Sequence, residues 1–199
     1  DVTPKPKLNV KARLHLNEMP INIPQELRIK ISNNIKNIEF NRYPEPFAES
    51  LKIPLSEWYG CKQDQITIAP GSSAFIRLLI SFFGTNKKGK LIITRPSFSY
   101  YEQFCHLFNI SYDVWDLDGK FNYVPSSLND LPDYSVVFLT SPNNPTGNTI
   151  SIESMRELLI SHKSSLFIVD EAYAEFVEET MLQLVDEFEN IVLLRTFSN

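Results

Sequence analysis

Cysteine is scarce in this chain: Cys61 and Cys105 are the two in 199 residues. They are too few and too far apart for a disulfide framework or a thiolate zinc site. The expectation is a reduced, cytoplasmic setting. Histidine is scarce as well. His15, His106 and His162 form no pair at ligand spacing, so no metal is expected. No G-x-S-x-G elbow exists, which argues against a Ser-His-Asp hydrolase. Positive charge is short too: 19 Lys and Arg stand against 24 Asp and Glu, a formal charge of -5. Phosphate-backbone binding needs clustered cations, and the one basic cluster, Lys87-Lys88-Gly89-Lys90, reads as a solvated turn. Nucleic acid is therefore not an expected partner. The nearest run, residues 78–83, falls well below the roughly 20 apolar residues that span a bilayer. The first residues are polar, with no signal-type apolar stretch, so a soluble protein with no membrane contact is expected. Neither G-x-x-x-x-G-K-[ST] nor G-x-G-x-x-G occurs, which makes ATP and NAD poor candidates.

What the chain does contain is an alternation. With 43% apolar and 22% charged residues it is composed like a globular protein able to bury one good core. Leu27, Ile31, Ile35 and Ile38 recur at helical spacing and predict a surface helix over a core at 24–38. A second helix is expected at 48–59, kinked or divided by Pro54. Short β-rich runs follow at 66–69, 91–94, 112–115, 136–140, 167–170 and 191–194. Helical stretches lie at 73–83, 100–108, 152–161 and 181–187, with 116–135 mostly irregular. Strands alternating with helices need crossover connections, which implies an α/β fold with a mostly parallel sheet covered by helices on both faces. The expected division is an N-terminal arm and first helix at 1–40, followed by a large domain at 41–199.

The unusual polar strings all follow predicted strand ends. Gly71-Ser72-Ser73 comes after the first, Pro96-Ser97-Phe98 after the second and Asn143-Asn144-Pro145-Thr146-Gly147 after the fourth. Asp170 ends the fifth, and Thr196-Phe197-Ser198 follows the last. Open α/β sheets bind ligands outside the carboxyl ends of their strands, so these clusters suggest one shared pocket. Gly71-Ser72-Ser73 opens a helix and could offer backbone N–H groups to a phosphate, or it could be an ordinary serine cap. Asp170 ends an apolar run, where a buried carboxylate is costly unless paired.

Taken in order, Leu16-Asn17-Glu18, Arg42-Tyr43-Pro44, Pro70-Gly71-Ser72, Arg95-Pro96-Ser97-Phe98, Pro142 to Gly147, Asp170-Glu171-Ala172-Tyr173 and Arg195-Thr196-Phe197-Ser198 resemble the fold-type-I, class I/II aminotransferases that use pyridoxal 5'-phosphate (PLP). The likeness is greatest to their histidinol-phosphate aminotransferase branch. The resemblance implies the family's large cofactor-binding domain, without its small domain. It implies that Asp170 holds the proton on the cofactor's pyridine nitrogen, and that Asn144 and Tyr173 donate to its phenolic oxygen. Phe98 would stack on the ring. Ser72 and Ser73 would hold the phosphate through their N–H groups, with the hydroxyls of Thr196 or Ser198 opposite. Tyr43 matches a tyrosine that reaches the neighbouring subunit's cofactor, which implies a homodimer.

The implied reaction belongs to histidine biosynthesis, amino transfer between glutamate and an imidazole-bearing phosphate ester. Threonine-phosphate decarboxylase and aromatic aminotransferase are rivals of the same fold. One departure is serious. Asn199 stands where the family carries its cofactor-binding lysine, and an amide is neither nucleophilic nor basic enough to replace it. The family is also roughly twice this length, so the 199 residues alone are expected to be inactive. A non-catalytic cofactor-binding or interaction module is the alternative from another class.

Overall fold

The computed structural model describes residues 17–85 and 88–198. It divides into two compact units, Asp1–Glu45 with Asn199, and Pro46–Ser198.

The first unit holds one helix, α1 (Gln25–Ile35), inside the expected range. The reading that its apolar stripe covers a core needs correction. Leu27, Ile31, Ile35 and Ile38 are each more than 40% exposed, and no residue of the helix is buried. The spacing was right for a helix, but among the described residues of its own unit none is buried to form a core that could receive that face.

The second unit is built on five strands: β1 (Leu91–Arg95), β2 (Asp113–Asp116), β3 (Val136–Thr140), β4 (Leu166–Asp170) and β5 (Ile191–Leu194). All neighbours pair in parallel, in the order β2-β1-β3-β4-β5. The central β3 is buried at every residue and reads Val-Val-Phe-Leu-Thr, as a strand covered on both faces should. The edge strands β2 and β5 each leave residues exposed.

Successive side chains point to opposite faces, and the two cores follow that rule. Ile92, Val137, Leu139, Phe167 and Val169 pack with Met155, Leu158 and Leu159 of α5 (Ile152–Ser161) and Leu184 of α6 (Leu182–Val185). Leu91, Ile93, Val136, Phe138 and Ile168 pack with Ile76 and Ile80 of α3 (Ser72–Phe83) and with Tyr101 and Cys105 of α4 (Tyr100–Leu107). The chain moves one way from β1 to β2 and the other way from β3 onward. Crossovers of a single hand that run in opposite directions must lie on opposite faces, hence the two helical layers.

Two expectations are corrected here. Residues 66–69 form no strand, because a cavity separates this segment from the outer edge of β5 and no ladder forms. In addition, α2 (Glu49–Tyr59) runs unbroken through Pro54. The proline sits just beyond the first turn, where its missing N–H removes only one early helical bond.

Candidate functional site

The sheet order reverses between β1 and β3, and an open α/β sheet places its ligand outside the carboxyl ends at such a point. Five side chains meet at the carboxyl ends of β1, β3 and β4. Ser97, just past β1, donates to Asn143 Oδ1 at 2.8 Å, and its hydroxyl lies 3.0 Å from Thr140 Oγ1 at the tip of β3. Thr140 Oγ1 is 2.7 Å from the Tyr101 hydroxyl, which lies 3.1 Å from Asp170 Oδ2 at the tip of β4. Asn143 is fixed in orientation because its Nδ2 donates to Pro96 O at 2.9 Å and to Thr146 Oγ1 at 2.8 Å.

Three hydroxyls, each with one proton, span four oxygen–oxygen links from Asp170 to Asn143. Tyr101 donates to Asp170 and Ser97 to Asn143, which leaves the Thr140 hydroxyl one proton for its two links. Burial raises the Asp170 pKa to about 6, against opposing hydrogen bonds from the Ala172 N–H and the Tyr101 hydroxyl. Tyr101 is itself pushed well above its ordinary value, first by burial and then by the Asp170 charge, so it stays a donor. Among the described residues no cation pairs with Asp170. Asp170 is thus a buried acid held by neutral donors alone.

Next to it, Glu171 is 2% exposed and fully partnered. It accepts from Arg195 Nε at 2.9 Å, from the Met181 N–H at 2.7 Å and from Thr180 Oγ1 at 2.9 Å. Strand alternation sends the two consecutive carboxylates to different partners.

The other sequence-predicted residues fall as follows. Ser72 and Ser73 begin α3, whose first turn has no side-chain cap, so its N–H groups point outward without an intrahelical acceptor. Gly71 before them has φ +79°, a conformation a side chain would strain. Gly71, Arg195, Thr196 and Ser198 all line one cavity of about 570 Å³, which brings the two loops expected to share a phosphate to a common space. Ser72, Ser73, Asp170, Asn144 and Tyr173 are not among its lining residues. Thr196 Oγ1 lies 2.8 Å from Ser198 Oγ and accepts from the Ser198 N–H, so this loop holds its own shape. Phe98 is half-buried and stacks on Tyr100 with centroids 4.7 Å apart. Asn144 and Tyr173 are half-buried in the loops after β3 and β4. Tyr43 belongs to the first unit and is fully exposed. Asn199 lies outside the described residues, as do residues 1–16. Both cysteines are free, no metal-binding group occurs and no helix is long and apolar enough to cross a membrane, all among the described residues.

The motif strings contained Ser97, Asn143, Glu171 and Arg195, but their roles were not legible in them. Tyr101 and Thr140 were missed. The available signals were a hydroxyl ending an otherwise apolar strand and a tyrosine on the apolar face of α4, one turn before Cys105.

The class is an open, parallel α/β sheet with a buried acid and a helix N-terminus at its carboxyl edge. The family model for aminotransferase class I and II matches residues 10–199, and the chain belongs to that family. A histidinol-phosphate aminotransferase of Pyrococcus furiosus is 36% identical over 194 residues, covering 96% of this chain and 55% of that protein. Among solved structures, a putative histidinol-phosphate aminotransferase from Erwinia carotovora atroseptica is 25% identical with a TM-score of 0.80, covering 92% of this chain and 55% of its own. The histidinol-phosphate aminotransferase of Sinorhizobium meliloti, solved in complex with pyridoxal-5'-phosphate, is 18% identical with a TM-score of 0.80 and shares the fold, over 96% of this chain and 53% of its own. The chain spans about half the length of the curated relatives it matches.

Proposed function

We propose that this chain carries the PLP-binding face of an aminotransferase that moves an amino group between glutamate and imidazole acetol phosphate, the keto partner of histidinol phosphate, working as a homodimer. The single observation that carries the reading is Asp170: a 3% exposed carboxylate, held only by neutral donors, at the carboxyl end of β4 beside β3. A protonated pyridine supplies the positive charge that such an acid lacks. Its neighbours among the described residues fit the rest of the group.

When bound, PLP supplies an electron sink for the charge left as a proton leaves the substrate α-carbon. Asp170 holds the proton on the ring nitrogen. Asn144 and Tyr173 donate to the phenolic oxygen, and Phe98 covers a ring face. The N–H groups of Ser72 and Ser73, at the positive end of α3, hold the phosphate with the hydroxyls of Thr196 and Ser198. Tyr43 reaches the partner subunit's cofactor phosphate.

The test is a PLP titration followed by absorbance, together with an assay of the full-length protein with histidinol phosphate and 2-oxoglutarate. Saturable binding and amino transfer are expected. No binding would end the reading, and binding without turnover of histidinol phosphate would end the substrate assignment.

Asn199 favours a second reading, a module that binds the cofactor without transamination. Under that reading Asn199→Lys in the full-length chain creates a PLP absorbance band that the parent chain lacks.

A further inference from the structure

Arg195 precedes the loop expected to hold a phosphate, and its guanidinium would ordinarily be read as a phosphate ligand. The geometry commits it elsewhere. Nε and Nη2 grip Glu171 at 2.9 and 2.7 Å, Nη2 also reaches Thr180 Oγ1 at 2.5 Å, and Nη1 reaches Glu175 at 3.3 Å. The guanidinium carbon sits 5.3 Å over the Tyr59 ring of α2. Thr180 donates to Glu171, and the Glu171 N–H donates to Leu194 O at 2.9 Å. One buried carboxylate and one 19% exposed guanidinium therefore bind the segment after β4 to the segment after β5.

These two segments carry different ends of the proposed site. Asp170 and Tyr173 flank Glu171 on the ring side, and Thr196 and Ser198 follow Arg195 on the phosphate side. We propose that the Glu171–Arg195 pair is a positioning brace that sets the span between the ring-nitrogen acid and the phosphate-binding hydroxyls, and so selects phosphorylated over unphosphorylated pyridoxal. The inference rests on the reading that this face binds PLP. Both side chains are committed to each other and to Thr180 and Glu175. A fork with two fixed donor directions holds a separation that a single flexible ion contact would not.

The test compares the affinities of the full chain for PLP and for pyridoxal, which lacks the phosphate. Glu171→Gln is expected to weaken PLP by about tenfold while moving pyridoxal by less than about twofold, the size of one well-placed charged hydrogen bond lost on the phosphate alone. Because Glu171→Gln leaves Arg195 short of its partner and could unfold the protein, the double variant Glu171→Met/Arg195→Met is run beside it. Replacing both members of a buried pair with apolar side chains tends to preserve the fold, and it should show the same selective loss. Equal weakening of both ligands, or none, in the folded variants overturns the brace while leaving PLP binding intact. A parent chain that binds neither ligand overturns the brace and the underlying reading together.

Discussion

Asp170 and Glu171 are consecutive acids, almost equally buried at 3% and 2%, yet the two sides of the β4 tip treat them in opposite ways. On the β3 side, Asp170 meets a tyrosine hydroxyl and a backbone N–H. On the β5 side, Glu171 meets a guanidinium, a hydroxyl and a backbone N–H. Both carboxylates forgo water, and only one receives a cation in exchange. The fold thus pairs one acid with a cation and leaves its neighbour without one, the difference on which the proposed recognition of a cationic ring rests.

The largest effect that could break this contrast comes from Glu171→Ala. It strands Arg195 at the loop junction, and a loss of about 3 kcal/mol in urea unfolding is expected, at the low end for a broken buried pair because Glu175 remains in reach. A loss no greater than that of an exposed pair would mean that the two acids are equivalent.

Asp170→Asn should do the reverse. Its folded pKa lies near 6, above the ordinary 3.8, so the free protein binds this proton more tightly than the unfolded chain does. That contribution to stability is complete below about pH 4 and is lost as pH rises through about 6, up to roughly 2–3 kcal/mol. The asparagine variant should lack this slope in unfolding measured from pH 4 to 8, and should match or exceed the parent stability at pH 8. Its PLP affinity should nevertheless fall by about thirtyfold, as expected for losing a buried charged partner. A variant that loses stability at every pH would show that Asp170 is a structural acid.

Tyr101→Phe sharpens the comparison with the smallest change. It removes the donor that lowers the Asp170 pKa and cuts the chain of hydroxyls to Asn143. The Asp170 titration, followed by carboxyl-labelled NMR, should move further upward, with a stability cost of about 1 kcal/mol. An unmoved titration would detach Tyr101 from the acid.

Much of the frame was legible in the sequence. Five of the six expected strands form, and 136–140 and 191–194 match to the residue, because each is a short apolar run whose polar neighbours mark the ends. Residues 66–69 were misjudged because β propensity carries no information on whether a ladder partner lies alongside. The stripe of α1 was misjudged for a similar reason: periodicity states that a face is apolar and is silent on what covers it.

The same division holds at the site. The order of the motif strings was enough to bring Asp170, the loop after β3 and the loop after β5 to one edge of the sheet, since parallel strands with alternating helices must present their carboxyl ends together. What the sequence could not decide was pairing across the sheet. That Tyr101, Thr140, Ser97 and Asn143 form one hydrogen-bonded line, and that Arg195 belongs to Glu171, depends on strand order and register. Hydrogen bonds act over about 3 Å between residues as far apart in sequence as 69 positions, and only the folded sheet brings them within that reach.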